Sequence, residues 1–258
     1  MGNSRQFDRA AKYYDETRLL LEPIAKVGIP AILELLVPNA RVLEVGSGTG
    51  RISIPLLERG VDLIGCDLSS QMLRRLQEKL PSARLARVDA SSLPFPAGHF
   101  EAVLTVHVLH LIPYWREVLR EFRRVLVPGG AFLNVTTGAE VGVSTSVKIR
   151  QFWRGWMKAN GVEAGHPGAR DREDLLQELG SLGADLSEVE AIRFTESFNL
   201  REKLNRFAAR IYSETWDLPD DIFEESMKEL RAWVIAEYGS LDQEITDEVR
   251  FFIDVARF

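Results

Sequence analysis

The first half of the chain alternates short apolar runs with stretches of helical periodicity, and a glycine-rich loop stands at the first turn between them. Few folds accommodate that order. Arg41–Val45, Val61–Cys66, Arg84–Val88, Phe100–Val106 and Ala131–Thr136 read as strands. Ile52–Glu58 reads as a helix, and Ser69 is placed to cap a second helix that runs to Lys79. Val118, Leu119, Phe122, Val125 and Leu126 share one face of a third at helical spacing. Pro128-Gly129-Gly130 turns the chain into the fifth strand. Strands alternating with helices build a mostly parallel sheet with right-handed crossovers, so the expectation is an α/β fold.

The second half leaves that rhythm. Thr145–Asn160 reads as a helix with Ile149, Phe152, Trp153 and Trp156 along one stripe, ended by Asn160-Gly161. A further helix is expected near Asp171–Leu182, then a long alternating strand from about Leu186 to Phe198. Asn199 and Glu202 form a capping-box pair for a helix through Leu204, Phe207 and Ile211. After Pro219, Phe223, Met227, Leu230 and Val234 recur at helical spacing, and Val249, Phe251, Ile253 and Val255 alternate on a closing strand. The expected organisation is a single domain over 1–258. It has an N-terminal helical arm at 1–37, a core at 41–137, helical cap insertions at 138–182 and 199–247, and last strands at 185–198 and 248–258.

Composition removes several function classes. With 45% hydrophobic and 27% charged residues the chain resembles an ordinary globular protein, so disorder is not expected. No apolar run approaches a membrane span, and the charged beginning lacks a signal-peptide core, which together point to a cytoplasmic protein without membrane insertion. Met1-Gly2-Asn3 suggests myristoylation, but Gln6 stands where that motif wants Ser or Thr. Cys66 is the only cysteine, which excludes an intrachain disulfide and a thiolate metal cluster; it reads as a buried, inert thiol. The net charge is −6, and Glu214–Glu248 carries twelve acids against Lys228 and Arg231. Such a surface would repel a phosphate backbone, so nucleic acid is not an expected partner.

The chemistry concentrates at Glu44-Val45-Gly46-Ser47-Gly48-Thr49-Gly50, the first strand-to-helix turn. Glycines there let the backbone bend tightly and approach a ligand without a Cβ in the way. Asp67 follows the second strand, 19 residues beyond Gly48, where a carboxylate can accept both hydroxyls of a ribose. Asp89 holds the corresponding place after the third strand. Two cofactors compete for such a site. A dinucleotide fingerprint would be Gly-x-Gly-x-x-Gly, but here Arg51 follows Gly50 and the third glycine comes one residue early. Adenine of NAD also needs no carboxylate at the third strand, whereas the adenine amine of S-adenosylmethionine can donate to Asp89. The spacing favours S-adenosylmethionine.

These segments resemble the successive motifs of class I S-adenosylmethionine-dependent methyltransferases. The glycine loop, Gly65-Cys66-Asp67-Leu68-Ser69, Asp89-Ala90 with Leu93-Pro94-Phe95, and Arg124-Val125-Leu126-Val127-Pro128-Gly129-Gly130 match them in order and spacing. Phe7-Asp8-Arg9-Ala10-Ala11-Lys12-Tyr13-Tyr14-Asp15 is similar to the opening of the small-molecule type found in ubiquinone and menaquinone biosynthesis. The resemblance implies a Rossmann-like seven-stranded sheet with helices on both faces and a helical cap. It also implies roles. Gly46, Ser47, Gly48 and Gly50 would form the loop around the methionine part, with Glu44 near its amino group directly or through water. Asp67 would hold the ribose, Leu68 would pack on adenine, and Asp89 with Ala90 would read the adenine edge. Val106 would line the site at the end of the fourth strand, and Tyr14 and Arg18 would close over the cofactor carboxylate.

The segment after the fourth strand, Val106-His107-Val108-Leu109-His110, departs from the Asn/Asp-Pro-Pro-Tyr motif of amide and adenine-amine methylation. Methylation of pyrimidine carbons is equally disfavoured, because no candidate nucleophilic cysteine exists. His107 stands at the strand end nearest the expected methyl group, as a general base or as a wall of the pocket. His110 reads as structural, and the two histidines have no carboxylate or thiolate partner nearby that would make a metal site. Trp153, Trp156, Trp216 and Trp233 lie beyond the fifth strand and suit core packing or an apolar lid over a small organic acceptor. The reading is methyl transfer to a small-molecule acceptor at O, N or C. The alternatives are a non-catalytic S-adenosylmethionine-binding module and an NAD-dependent oxidoreductase.

Overall fold

The structure is a computed structural model that describes residues 7–8, 10–17, 22–139 and 144–258. It is an α/β protein with a seven-stranded sheet in the order β3-β2-β1-β4-β5-β7-β6. The strands are β1 (Arg41–Val45), β2 (Asp62–Asp67), β3 (Arg84–Arg87), β4 (Phe100–Val106), β5 (Leu126–Ala139), β6 (Asp185–Asn199) and β7 (Glu244–Arg257). β1 through β5 pair in parallel, with β1 between β2 and β4. The order reverses direction at β1, which is where open α/β sheets leave a crevice at their carboxyl ends. Gly130 bonds to Phe258 and Asn134 to Asp254, so residue numbers rise on β5 as they fall on β7 and the two strands run antiparallel.

The chain divides into two compact units. Unit 1 comprises 1–137, 167–192 and 251–258; unit 2 comprises 138–166 and 193–250. In unit 1, helices α1 (Tyr14–Thr17), α2 (Ile29–Leu35), α3 (Ser53–Leu57), α4 (Ser70–Lys79) and α5 (Trp115–Val125) alternate with the strands as expected. The α5 face foreseen from periodicity is the buried one: Val118, Leu119, Phe122 and Val125 meet Leu43, Val103 and Phe132 in the core. The sequence places the helix after residue 171 within the first insertion; as α7 (Arg172–Ser181) it packs Leu175 and Leu179 into this core. Asp171 caps it by accepting from the Glu173 amide at 2.8 Å.

Unit 2 contains α6 (Thr145–Ala159), α8 (Leu200–Ala208) and α9 (Asp220–Tyr238). Its core gathers Ile149, Trp153, Met157, Leu204, Phe207, Phe223, Met227, Leu230 and Val234. Trp153 is fully buried, and its indole N–H donates to Ser226 Oγ at 2.9 Å, which satisfies the one polar atom it brings inside. Of the α6 aromatic stripe, Phe152 stacks on Trp233 with ring centroids 4.6 Å apart. Within this unit the aromatic stripe is packing.

Three local expectations change. Pro128-Gly129-Gly130 does not precede β5 but lies inside it. Leu126 already pairs with Phe100, and the register slips before Ala131 meets Ala102. Gly129 takes φ +80°, so the extra residues bulge outward while the ladder resumes. The helix expected to reach Ile211 stops at Ala208, because Arg210 adopts φ +51° and turns the backbone out of the helix. The capping box is half realised: Asn199 accepts from the amides of Arg201 and Glu202, and its own amide donates to Glu244.

A buried polar line crosses β4, β5 and β7 within unit 1. Thr105 Oγ1 donates to Asn134 Oδ1 at 3.1 Å, and Asn134 Nδ2 donates to Asp254 Oδ2 at 3.2 Å. Arg172 closes the line on Asp254 Oδ1 with Nε at 2.8 Å. Asp254 is 2% exposed, so its removal leaves the buried Asn134 amide without its acceptor. Asp254→Ala is therefore expected to destabilise the protein by about 2 kcal/mol in denaturant unfolding, the cost of leaving a buried partner unsatisfied; a change under about 0.5 kcal/mol would show that the line carries no stability.

Candidate active site

A cavity of about 880 Å³, including its open mouth, lies at the carboxyl ends of β1, β2 and β4 and the segment after β3. Gly46, Gly48, Asp67, Leu68, Asp89, Ala90, Val106 and His107 all line it, together with Tyr14 from the N-terminal arm. The loop takes its shape from β2. The amides of Gly46 and Ser47 both donate to the carbonyl of Cys66, at 2.8 and 3.0 Å, and pull the chain sideways as it leaves β1. Gly46 sits at φ +78°, and a Cβ there would overlap the side chain of Val108. Gly48, at φ +54°, points its amide to Asp67 Oδ2 at 3.0 Å.

Asp67 is held from two sides, because Oδ1 accepts from the Ser69 amide at 2.8 Å. Burial nevertheless pushes its carboxyl above the usual range, outweighing those bonds. Asp89 behaves differently. Burial works against its ionisation, but the Ser91 amide at 3.0 Å, the Ser91 hydroxyl at 2.8 Å and the Tyr114 hydroxyl at 3.1 Å outweigh it and hold the carboxyl below the ordinary range. The cavity thus presents a fixed, ionised acceptor at the β3 end and a backbone-tethered carboxyl at the β2 end.

Residues 43–134 match the family described as a methyltransferase domain. That stretch carries most of β1, then β2 to β4, whose ends frame the cavity, and the first part of β5. It is 33% identical to a malonyl-[acyl-carrier protein] O-methyltransferase of Halorhodospira halophila, over 58% of this chain and 51% of that one. It is 35% identical to a demethylmenaquinone methyltransferase of Beutenbergia cavernae, over 48% of this chain and 53% of that one. The chain therefore spans about half the length of these curated relatives. Among solved structures, a SAM-dependent methyltransferase from Methanosarcina mazei shares the fold, with a TM-score of 0.54 and 18% identity over 88% of this chain and 96% of that one.

The remaining residues singled out from the sequence fall into two groups. Ser47 and Gly50 stand behind the loop. Ser47 Oγ donates to the Cys66 carbonyl at 3.3 Å, and Gly50 backs onto Leu76 and Ile54. Glu44 is buried, accepts a hydrogen bond from Ser53 Oγ at the start of α3, and is not among the residues lining the cavity. Burial likewise pushes up the Cys66 thiol, which is fully enclosed. No group of His, Cys, Asp and Glu among the described residues is arranged to hold a metal ion. Arg18 lies outside the described residues.

The N-terminal arm is held to the loop by two acids. Asp15 accepts from Thr49 Oγ1 at 2.6 Å and pairs with Lys79 at 2.6 Å, and Lys79 also donates to the Thr49 carbonyl at 2.8 Å. Asp8 accepts from Ser69 Oγ at 2.6 Å and from the Gln71 amide at 3.2 Å, at the first turn of α4. These contacts place Phe7 and Tyr14 on the cavity. Sequence reasoning missed Asp8 and Asp15 as anchors, and it missed Tyr114, Met72, Leu111 and Ile112 as lining residues. Tyr114 stands 25 residues from Asp89 with no motif between them, so only folding reveals the pair.

The buried carboxyl of Glu44 gives a pH signature. Burial raises its pKa from 4.5 to about 7, against the opposing pull of the Ser53 hydrogen bond. A carboxyl that keeps its proton longer in the folded state stabilises that state below pH 4.5, and the contribution is lost as pH rises through about 7. Glu44→Gln is neutral throughout, so its stability relative to wild type should climb across this window by up to about 3 kcal/mol. Denaturant unfolding from acid to mildly alkaline pH checks this; a pH-independent difference would place the charged form of Glu44 in a solvated setting.

Proposed function

We propose that this chain transfers a methyl group from S-adenosylmethionine to a small organic acceptor in the cytoplasm. The observation that carries the reading is the convergence of Gly46, Gly48, Asp67 and Asp89 on one cavity within a methyltransferase domain. The residues suit the cofactor. A side chain at Gly46 would collide with Val108 on the cavity wall, Asp67 offers a carboxylate for ribose hydroxyls, and ionised Asp89 can only accept, which matches an adenine amine. Bound S-adenosylmethionine supplies a methyl group on a sulfonium, open to in-line displacement by an acceptor O, N or C atom.

The protein's part is to bind, orient and exclude water. In this reading Leu68 and Ala90 flank the adenine, Val106 forms the wall toward the methyl group, and Tyr14 covers the methionine end. Glu44 braces α3 behind the loop through Ser53. No helix among the described residues is long and apolar enough to cross a membrane, and the acidity of Glu214–Glu248 speaks against nucleic acid as the acceptor. Relatives named for a malonyl-[acyl-carrier protein] and for demethylmenaquinone share the matched region, so that region identifies the cofactor and leaves the acceptor to be found by screening. Turnover of labelled S-adenosylmethionine against small acids, phenols, amines and quinone precursors does that.

Calorimetry tests the cofactor directly. S-adenosylmethionine and S-adenosylhomocysteine should bind and NAD should not; tighter NAD binding would overturn the reading. Asp67→Ala should weaken cofactor binding at least about tenfold, since a charge-assisted hydrogen bond contributes roughly 1.5–3 kcal/mol, and unchanged affinity in a folded variant would move the ribose elsewhere. Hydrogen–deuterium exchange over residues 10–17 should slow when S-adenosylhomocysteine binds. Equal exchange with and without ligand would leave Tyr14 as packing alone.

A further inference from the structure

A carboxylate presents about four lone-pair directions, and three of those on Asp89 are committed within the fold. Ser91 supplies two bonds, from its amide at 3.0 Å and its hydroxyl at 2.8 Å, and both end on Oδ1. They are local, made by the residue two positions along, as aspartate side chains commonly do in turns. The third comes from 25 residues away, where the Tyr114 hydroxyl donates to Oδ2 at 3.1 Å. Oδ1 is thus filled, and the remaining direction lies on Oδ2, beside the tyrosine oxygen.

Tyr114 is built to hold that oxygen still. Its carbonyl accepts from the amides of Glu117 and Val118, at 3.1 and 3.3 Å, so the first turn of α5 fixes its backbone. Its ring packs against the core that buries Trp115 and Val118, and both Tyr114 and Asp89 line the cavity. The terminal torsion of a carboxyl is soft, and the Ser91 bonds restrain only one of its oxygens. The tyrosine bond restrains the other. Burial opposes ionisation of Asp89, and the bonds from Ser91 and Tyr114 outweigh it. An ionised carboxylate has no proton to give. The base edge it recognises is one that offers a donor, such as an exocyclic amine; a ring carbonyl at the same place meets negative charge instead.

We infer that Tyr114 is a positioning residue: it fixes Oδ2 of Asp89 as the acceptor for the adenine amine and so sets a preference for a 6-aminopurine over a 6-oxopurine. The inference rests on the S-adenosylmethionine reading for the identity of the base. It gives the segment between β4 and α5 a part in choosing that base.

The test compares S-adenosylhomocysteine with S-inosylhomocysteine, in which a carbonyl replaces the amine at position 6 of the purine. Calorimetry on the full chain should show the wild type preferring the amine. Tyr114→Phe keeps the ring and its packing but removes the hydroxyl, and the preference should shrink by about threefold or more. A role in packing alone would weaken both ligands equally and leave the ratio unchanged, which would overturn the inference. Asp89→Asn puts a donor beside the acceptor and should lose most of the preference; a variant that keeps the wild-type ratio would show that Asp89 does not read the base, and the inference falls. A second readout needs no ligand. Followed by carbon-13 NMR, the Asp89 carboxyl should titrate at higher pH in Tyr114→Phe than in wild type, because a hydrogen bond that favours the ionised form is gone. An unmoved titration would also overturn the inference. Wild type that binds both ligands equally would overturn the inference alone, whereas wild type that binds neither would count against the S-adenosylmethionine reading itself and take the inference with it.

Discussion

The carbonyl of Cys66 accepts two amides, those of Gly46 and Ser47, and the site is built outward from that point. These paired hydrogen bonds swing the chain off the end of β1 toward β2 and leave the Gly48 amide facing Asp67. Asp67 in turn holds the Ser69 amide, and Ser69 caps α4 through Met72. One carbonyl therefore ties the loop, the carboxylate and the following helix into one rigid corner. The geometry demands glycine at Gly46, where φ is positive and Val108 occupies the space of a side chain. It also accounts for a small, enclosed thiol at position 66, since Cys66 packs into the core while its backbone does the anchoring.

Three carboxyl groups near this corner are set to different tasks by their surroundings. Glu44 is enclosed beside a single hydroxyl, so desolvation wins and it resists ionisation. Asp67 gains two backbone amides and is still pushed upward by burial. Asp89 sits nearer the opening and accepts three hydrogen bonds, which keep it ionised. Of the three, only Asp89 is held below the ordinary carboxylate range. That asymmetry gives the cavity a direction, with the ionised acceptor at the β3 end and the glycine loop at the β1 end.

The arm and the histidine show tertiary contacts adding to this frame. Asp15 and Asp8 belong to a segment whose sequence suggests only a polar helix face, yet they reach Thr49, Lys79 and the first turn of α4. His107 is held at both its backbone and its ring by β5, a strand separated from it by α5. In both cases an element far along the chain fixes a residue that local sequence leaves free to serve several purposes.

The strand–loop–helix order, the glycine positions and the places of Asp67 and Asp89 were all legible in the sequence, because they follow from local periodicity and from backbone conformations that only glycine adopts readily. The buried faces of α5 and α9 were legible for the same reason. What the sequence left open depended on pairing across long separations. The bulge at Gly129 exists because β5 must satisfy both β4 and the C-terminal residue. The assignment of α7 to the core of unit 1 rests on Leu175 and Leu179, apolar positions that carry no mark of which core will take them. Glu44 turned to Ser53, Tyr114 met Asp89, and Nε2 of His107 met the Thr137 amide because the folded backbone brought those atoms within hydrogen-bond reach. Residue types and spacing determine which chemistry a corner of the sheet can support; which lone pairs and protons remain for a ligand is decided only by the partners that folding supplies.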